Sequence, residues 1–168
     1  MEFILEYKTF ALLPRELRNK NLLYHSTDMD SFEKILKDNK IYGSIMYDTG
    51  IATSRNKHYA FGFDDDSEMH NKGDVQFILD RDKIKNVCKI KAFDWENMKS
   101  SEPKTGEYNH HHQSEDKILC KNNTLTNVSK YIVGIHVVKD KYLEDVLNNE
   151  LVKKEWYIFS EDWELIRK

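Results

Sequence analysis

Three short stretches carry side chains whose types and spacing suit the handling of a polar ligand: Tyr24-His25-Ser26-Thr27, Thr53-Ser54-Arg55 and Gln113-Ser114-Glu115. In the first, two leucines run into a histidine and two hydroxyls, and Asp28, Asp30 or Ser31 can then cap a helix on which Phe32, Ile35 and Leu36 share a face. A polar cluster at a strand-to-helix turn suits chemistry, and a histidine hydrogen-bonded inside a core is the plainer alternative. The second stretch ends in a guanidinium, either an anchor for phosphate or carboxylate or a surface arginine closing a strand. In the third, an amide and a carboxylate two residues apart share one face of an extended chain. Its plainer alternative is a helix start, with Ser114 as cap and Glu115 and Asp116 facing the macrodipole. Where Glu115 instead does the chemistry, Asp116→Asn is expected to do little.

The adjacent His110, His111 and His112 suggest metal ligands, but three neighbours in an extended chain cannot all face one ion. No metal is expected. The sequence also lacks a phosphate-binding glycine loop, a Gly-x-Ser-x-Gly elbow, a His-Glu-x-x-His and a Cys-x-x-Cys pair.

The elements that must position these residues are mostly short. Residues 1–21 read as an entry segment with a short helix after Pro14. A strand through His25 and a helix from Asp30 to about Asp38 follow, then an extended piece from Ile41 and a strand from Gly50 to Arg55. Asn56 to Gly73 is polar and acidic and reads as a loop. Val75–Asp80 is an apolar strand, Arg81–Ile84 one helical turn, and Val87–Phe93 alternates in strand fashion. Asp94 to Gln113 loses periodicity and reads as a long loop. Tyr131–Val138 forms a further apolar strand, Lys141 to about Asn148 a helix, and Trp156–Phe159 a last strand. With no repeat and no boundary, residues 1–168 are expected to be one α+β domain.

Length and composition fit that reading: 168 residues, 33% charged and 39% hydrophobic, with a formal charge of −3. Lysines and acids are mixed along the chain, which argues against a general nucleic-acid binder but not against an enzyme that touches a few nucleotides. No apolar run is long enough to span a bilayer, and the first residues lack a basic segment followed by a cleavage site. A cytoplasmic setting without a membrane partner is therefore expected, with Cys88 and Cys120 as reduced thiols.

The order of the pieces resembles the ADP-ribosyltransferase superfamily. A strand ending in Tyr-His-Ser-Thr precedes a Phe-x-x-Ile-Leu helix, a strand ending in Thr-Ser-Arg, a loop, a core strand and Gln-x-Glu. Within the superfamily it is most similar to the branch with a histidine on the first core strand, which includes poly(ADP-ribose) polymerases and DarT-type DNA-modifying toxins. The resemblance implies a split, mostly antiparallel sheet with an NAD cleft between its halves. It implies that His25 bonds the adenosine ribose with Thr27 beside it, that Ser54 lies in the cofactor site, and that Arg55 holds the dinucleotide and assists transfer. Glu115 would stand at the nicotinamide ribose, Gln113 would orient the acceptor, and Tyr59 would pack on nicotinamide. His25, Arg55 and Glu115 should then converge on one cleft, and the loop from Asp94 to His112 should cover the acceptor side.

The activity implied is NAD-dependent mono-ADP-ribosyl transfer to a protein or nucleic-acid acceptor, by a toxin or phage effector that an antitoxin partner could control. Loss of nicotinamide develops an oxocarbenium-like cation, which a carboxylate on the adjacent hydroxyl stabilises. The amide of Gln113 cannot act as a general base, so an amide, guanidinium or nucleobase suits it better than a hydroxyl acceptor. The alternatives are a non-catalytic nucleotide- or protein-binding module of the same fold, or a relative that removes RNA 2′-phosphates or hydrolyses NAD.

Overall fold

The computed structural model describes residues 13–44, 50–55, 73–92 and 115–168. After a short helix α1 (Arg15–Arg18) come strand β1 (Leu22–Thr27), helix α2 (Met29–Asp38), and strands β2 (Lys40–Tyr42), β3 (Ile51–Ser54) and β4 (Val75–Asp80). Helix α3 (Arg81–Lys85) leads to β5 (Lys89–Ala92), β6 (Glu115–Leu119), β7 (Thr124–Thr126) and β8 (Ile132–Val137). Helix α4 (Leu143–Leu147), β9 (Tyr157–Phe159) and β10 (Leu165–Arg167) complete the chain. Eight strands form one sheet in the order β10-β9-β8-β4-β1-β3-β6-β5, and β2 and β7 pair separately. Every pairing is antiparallel except β8 with β9, whose parallel connection carries α4.

All six residues of β4 are buried because both faces of the central strand are covered. On one face Leu23, Phe77, Leu79 and Ile135 pack against α2 through Phe32, which stacks on Phe77 with ring centroids 5.2 Å apart. On the other, Tyr24, Ile78 and Phe159 pack with Leu13, Leu17 and Trp163. Helix α2 forms where the sequence indicates: Asp28 accepts the Ser31 N–H at 2.7 Å, Phe32, Ile35 and Leu36 face inward, and Asn39 ends it in the left-handed region. Burying Phe32 alone contributes about 2–3 kcal/mol. Asp74 fastens the helix start to β4, accepting the Met29 N–H at 2.9 Å and Lys139 Nζ at 2.8 Å.

Three expectations change. Cys88 and Cys120 form a disulfide. Lys89 pairs with Leu119, so the two cysteines occupy the next facing positions of β5 and β6, a register that one-strand patterns cannot reveal. Such a bond persists in an oxidising environment, and under reducing conditions two thiols would remain face to face. Glu115 and Asp116 start a strand and not a helix, because β6 pairs on both sides, with β3 and with β5. The helix expected over Lys141–Asn148 is a 3-10 turn, Asp140–Tyr142, followed by the five residues of α4. No helix among the described residues is long and apolar enough to cross a membrane.

A row of polar side chains crosses the buried second face. Ser26 lies opposite Gln76, and Gln76 opposite His136. His136 Nε2 donates to the Glu161 carbonyl at 3.1 Å, its Nδ1 lies 2.8 Å from Gln76 Oε1, and the ring stacks on Trp163 at 3.8 Å. The Gln76 amide nitrogen and the Ser26 hydroxyl are buried without a partner in this orientation. Turning the amide over would let Gln76 donate to a neutral His136 Nδ1.

Candidate functional site

The seam between β1 and β3 is the least paired place in the sheet. Only Tyr24 and Ser54 are in register there, whereas β1 and β4 pair over six residues. Beyond Tyr24 the imidazole of His25 replaces backbone pairing: Nδ1–H donates to the Ala52 carbonyl at 2.9 Å. That bond fixes the neutral tautomer and leaves Nε2 as an acceptor. Burial holds the His25 pKa below the ordinary histidine value, against the opposing effect of the Ala52 carbonyl, so the neutral form is favoured.

A cavity of about 450 Å³ opens where the strands part. His25 and Thr27 line it from β1, Ser31 and Lys34 from α2, and Ile51 from β3. Tyr42 lies at its rim, 56% exposed, with the Lys34 ammonium 5.9 Å from its ring centroid. Asn123 shapes the mouth by accepting from the Gly50 N–H at 2.8 Å and donating to the Ser44 carbonyl at 2.9 Å. Gly50 is required at this point because its φ of +115° is one that side chains rarely adopt. Sequence reasoning missed Lys34, Tyr42 and Asn123, which come from separate elements, and an asparagine at positive φ carries no sequence signal of its own.

The three residues expected to converge on one cleft do not: His25 lines this cavity, Arg55 lines another on the Tyr24 side, and Glu115 stands on the face opposite His25, an arrangement that argues against a transferase site. Glu115 is buried, stands opposite Ser54 in the β3–β6 register, and has Lys117 Nζ 3.7 Å from its Oε1. The pairing that aligns Tyr24, Ser54 and Glu115 gives them one face of the sheet, and strand alternation gives His25 and Thr27 the other. Arg55 reaches a carboxylate, but that of Asp116: its Nε lies 3.3 Å from Oδ1, and Arg81 Nε lies 3.4 Å from Oδ2. Asp116, expected to be dispensable, is a buried tie between the two sides of the seam. On the Tyr24 side a second cavity of about 440 Å³ is lined by Leu22, Tyr24, Arg55 and Arg81.

Gln113, Tyr59, His110–His112 and the loop from Asp94 to His112 lie outside the described residues. Among the described residues no group of three or more histidine, cysteine, aspartate or glutamate side chains could hold a metal ion. Compared with protein-family models, curated proteins and solved structures, the chain matches none.

Proposed function

We infer that the chain binds NAD at the β1–β3 seam and transfers ADP-ribose to a macromolecular acceptor. The observation that carries this reading is the cavity at the one-pair seam, lined by His25 and Thr27. Neutral His25 offers an acceptor to a ribose hydroxyl, Thr27 a second hydrogen-bonding group, and exposed Tyr42 an aromatic surface for a planar base. Glu115 and Arg55 carry the carboxylate and the phosphate-binding charge that transfer requires, but on the opposite face of the sheet from this cavity, so transfer at this site rests on the sequence resemblance alone. The acceptor chemistry falls to Gln113.

One observation favours a second reading. Glu115 faces away from His25 and toward Lys117, so a module that binds a nucleotide without transferring it fits the cleft as well.

The test is NAD affinity and transfer of labelled ADP-ribose into a cell extract, measured on the native chain, His25→Ala and Glu115→Gln. Transfer predicts that His25→Ala weakens NAD binding, while Glu115→Gln keeps affinity and lowers turnover by roughly two to three powers of ten. NAD binding without any label transferred selects the non-catalytic module. Full activity in Glu115→Gln removes the transferase, and no NAD binding by the native chain removes both readings.

A further inference from the structure

Folding gathers charge that the sequence disperses. The cavity on the Tyr24 face is lined by Arg18, Lys20, Arg55 and Arg81, and shares Leu17 and Lys20 with a neighbouring cavity of about 450 Å³. Lys83, Lys130, Lys153 and Lys168 line the second cavity. Against these eight cations stand Glu16 and Glu155 in the lining, Asp80 and Asp116 buried behind it, and Asp82 hydrogen-bonded to Asn21. Among the described residues in and behind these two linings, eight cations and five carboxylates leave an excess of three positive charges, in a chain whose formal charge is −3. The cations come from positions 18 to 168 and from different elements, so no basic run announces them.

We propose that this band is a binding surface for the phosphate backbone of nucleic acid. Arg18, Lys83, Lys130 and Lys153 are exposed and, among the described residues, have no carboxylate within ion-pairing distance, so they are available to phosphates. Among the described residues, the aromatics that line the band, Tyr24, Trp156 and Tyr157, are buried, which leaves no platform on which bases could stack. Contact is therefore to the backbone and independent of base sequence. The surface needs no NAD, but where the transferase reading holds it lies on the face of Arg55 and Glu115 and makes nucleic acid the acceptor.

Four phosphate contacts predict that log K falls by about 3 for each tenfold rise in salt, roughly 50-fold between 50 and 200 mM. The experiment is fluorescence anisotropy with a labelled 20-nucleotide oligothymidylate, without NAD, on the native chain and two double variants. Lys130→Glu with Lys153→Glu should weaken binding at least 10-fold and flatten the salt slope, while Lys89→Glu with Lys91→Glu, on the exposed edge strand β5, should stay within twofold. Melting temperatures show whether each variant folds, and the paired Lys130→Gln and Lys153→Gln changes replace a variant that does not. Absence of binding at 50 mM salt, or equal weakening by both pairs, overturns the proposal. Competition by polyglutamate as effective as by unlabelled oligonucleotide also overturns it, in favour of an acidic protein partner.

Discussion

Asp116→Asn replaces one atom in a side chain that joins the two sides of the seam. Asp116 rises from β6, Arg55 follows β3, and Arg81 begins the helix after β4, so the Arg81 pair crosses the seam where β1 and β3 meet at a single residue pair, while the Arg55 pair holds Asp116 on the β3–β6 side. The amide keeps the volume, loses the charge and turns an NH₂ group toward one guanidinium. A hydrogen bond to a charged group contributes about 1.5–3 kcal/mol. The Arg55 and Arg81 side chains are 46% and 28% exposed and regain water when the carboxylate is lost, which puts the cost at the lower end, about 1.5–2 kcal/mol. For a domain of this size each kcal/mol is worth roughly 2–4 °C, so Tm should fall by about 3–8 °C. Thermal unfolding of Asp116→Asn, Arg55→Gln, Arg81→Gln and the two double variants with Asp116→Asn is the assay. Each pair should show a coupling of about 0.5–1 kcal/mol. A Tm unchanged within 1 °C, or effects that simply add, would refute the assignment of Asp116 as a tie.

Two further predictions use bulk measurements. Reducing the Cys88–Cys120 disulfide, 32 residues apart in sequence, releases a loop whose closure is worth about 3.5 kcal/mol in the chain-entropy model, so dithiothreitol should lower Tm by roughly 7–14 °C. The double serine variant should melt like the reduced protein and ignore reductant; equal melting of oxidised and reduced protein would show that the bond constrains nothing. For pH, the His25 pKa is lowered on folding, so the neutral ring stabilises the fold fully above the ordinary histidine value near 6.5, and the contribution is lost as pH falls through the folded value. Burial raises the Asp74 carboxyl pKa, but Lys139 and the Met29 N–H outweigh it and hold the value low, so its contribution is lost only in the acid range below about pH 4. Urea unfolding from pH 8 to 3 should show two declines, and His25→Gln should remove the one below pH 6.5 alone; an unchanged profile in that variant would rule out His25 as its source.

The strands β1, β3, β4 and β8 and the helix α2 were legible because each is dictated locally. Val75–Asp80 is an unbroken apolar run, and Asp28, Phe32, Ile35 and Leu36 place a cap and an inward face at helical spacing. Their residues also located one wall of the candidate site, His25 and Thr27. What tertiary structure decided is relative position. A single register pair, Tyr24 with Ser54, sets Glu115 on the face opposite His25, and a shift of one residue would reverse that relation. The same dependence on partners hid the cysteine pairing, the Asp116 tie, and the lysines that approach one another only when α1, α3, β8 and the residues around β9 meet on one side of the sheet. A sequence specifies what each segment prefers, but charge and chemistry accumulate between segments, where distance is set by strand register and packing.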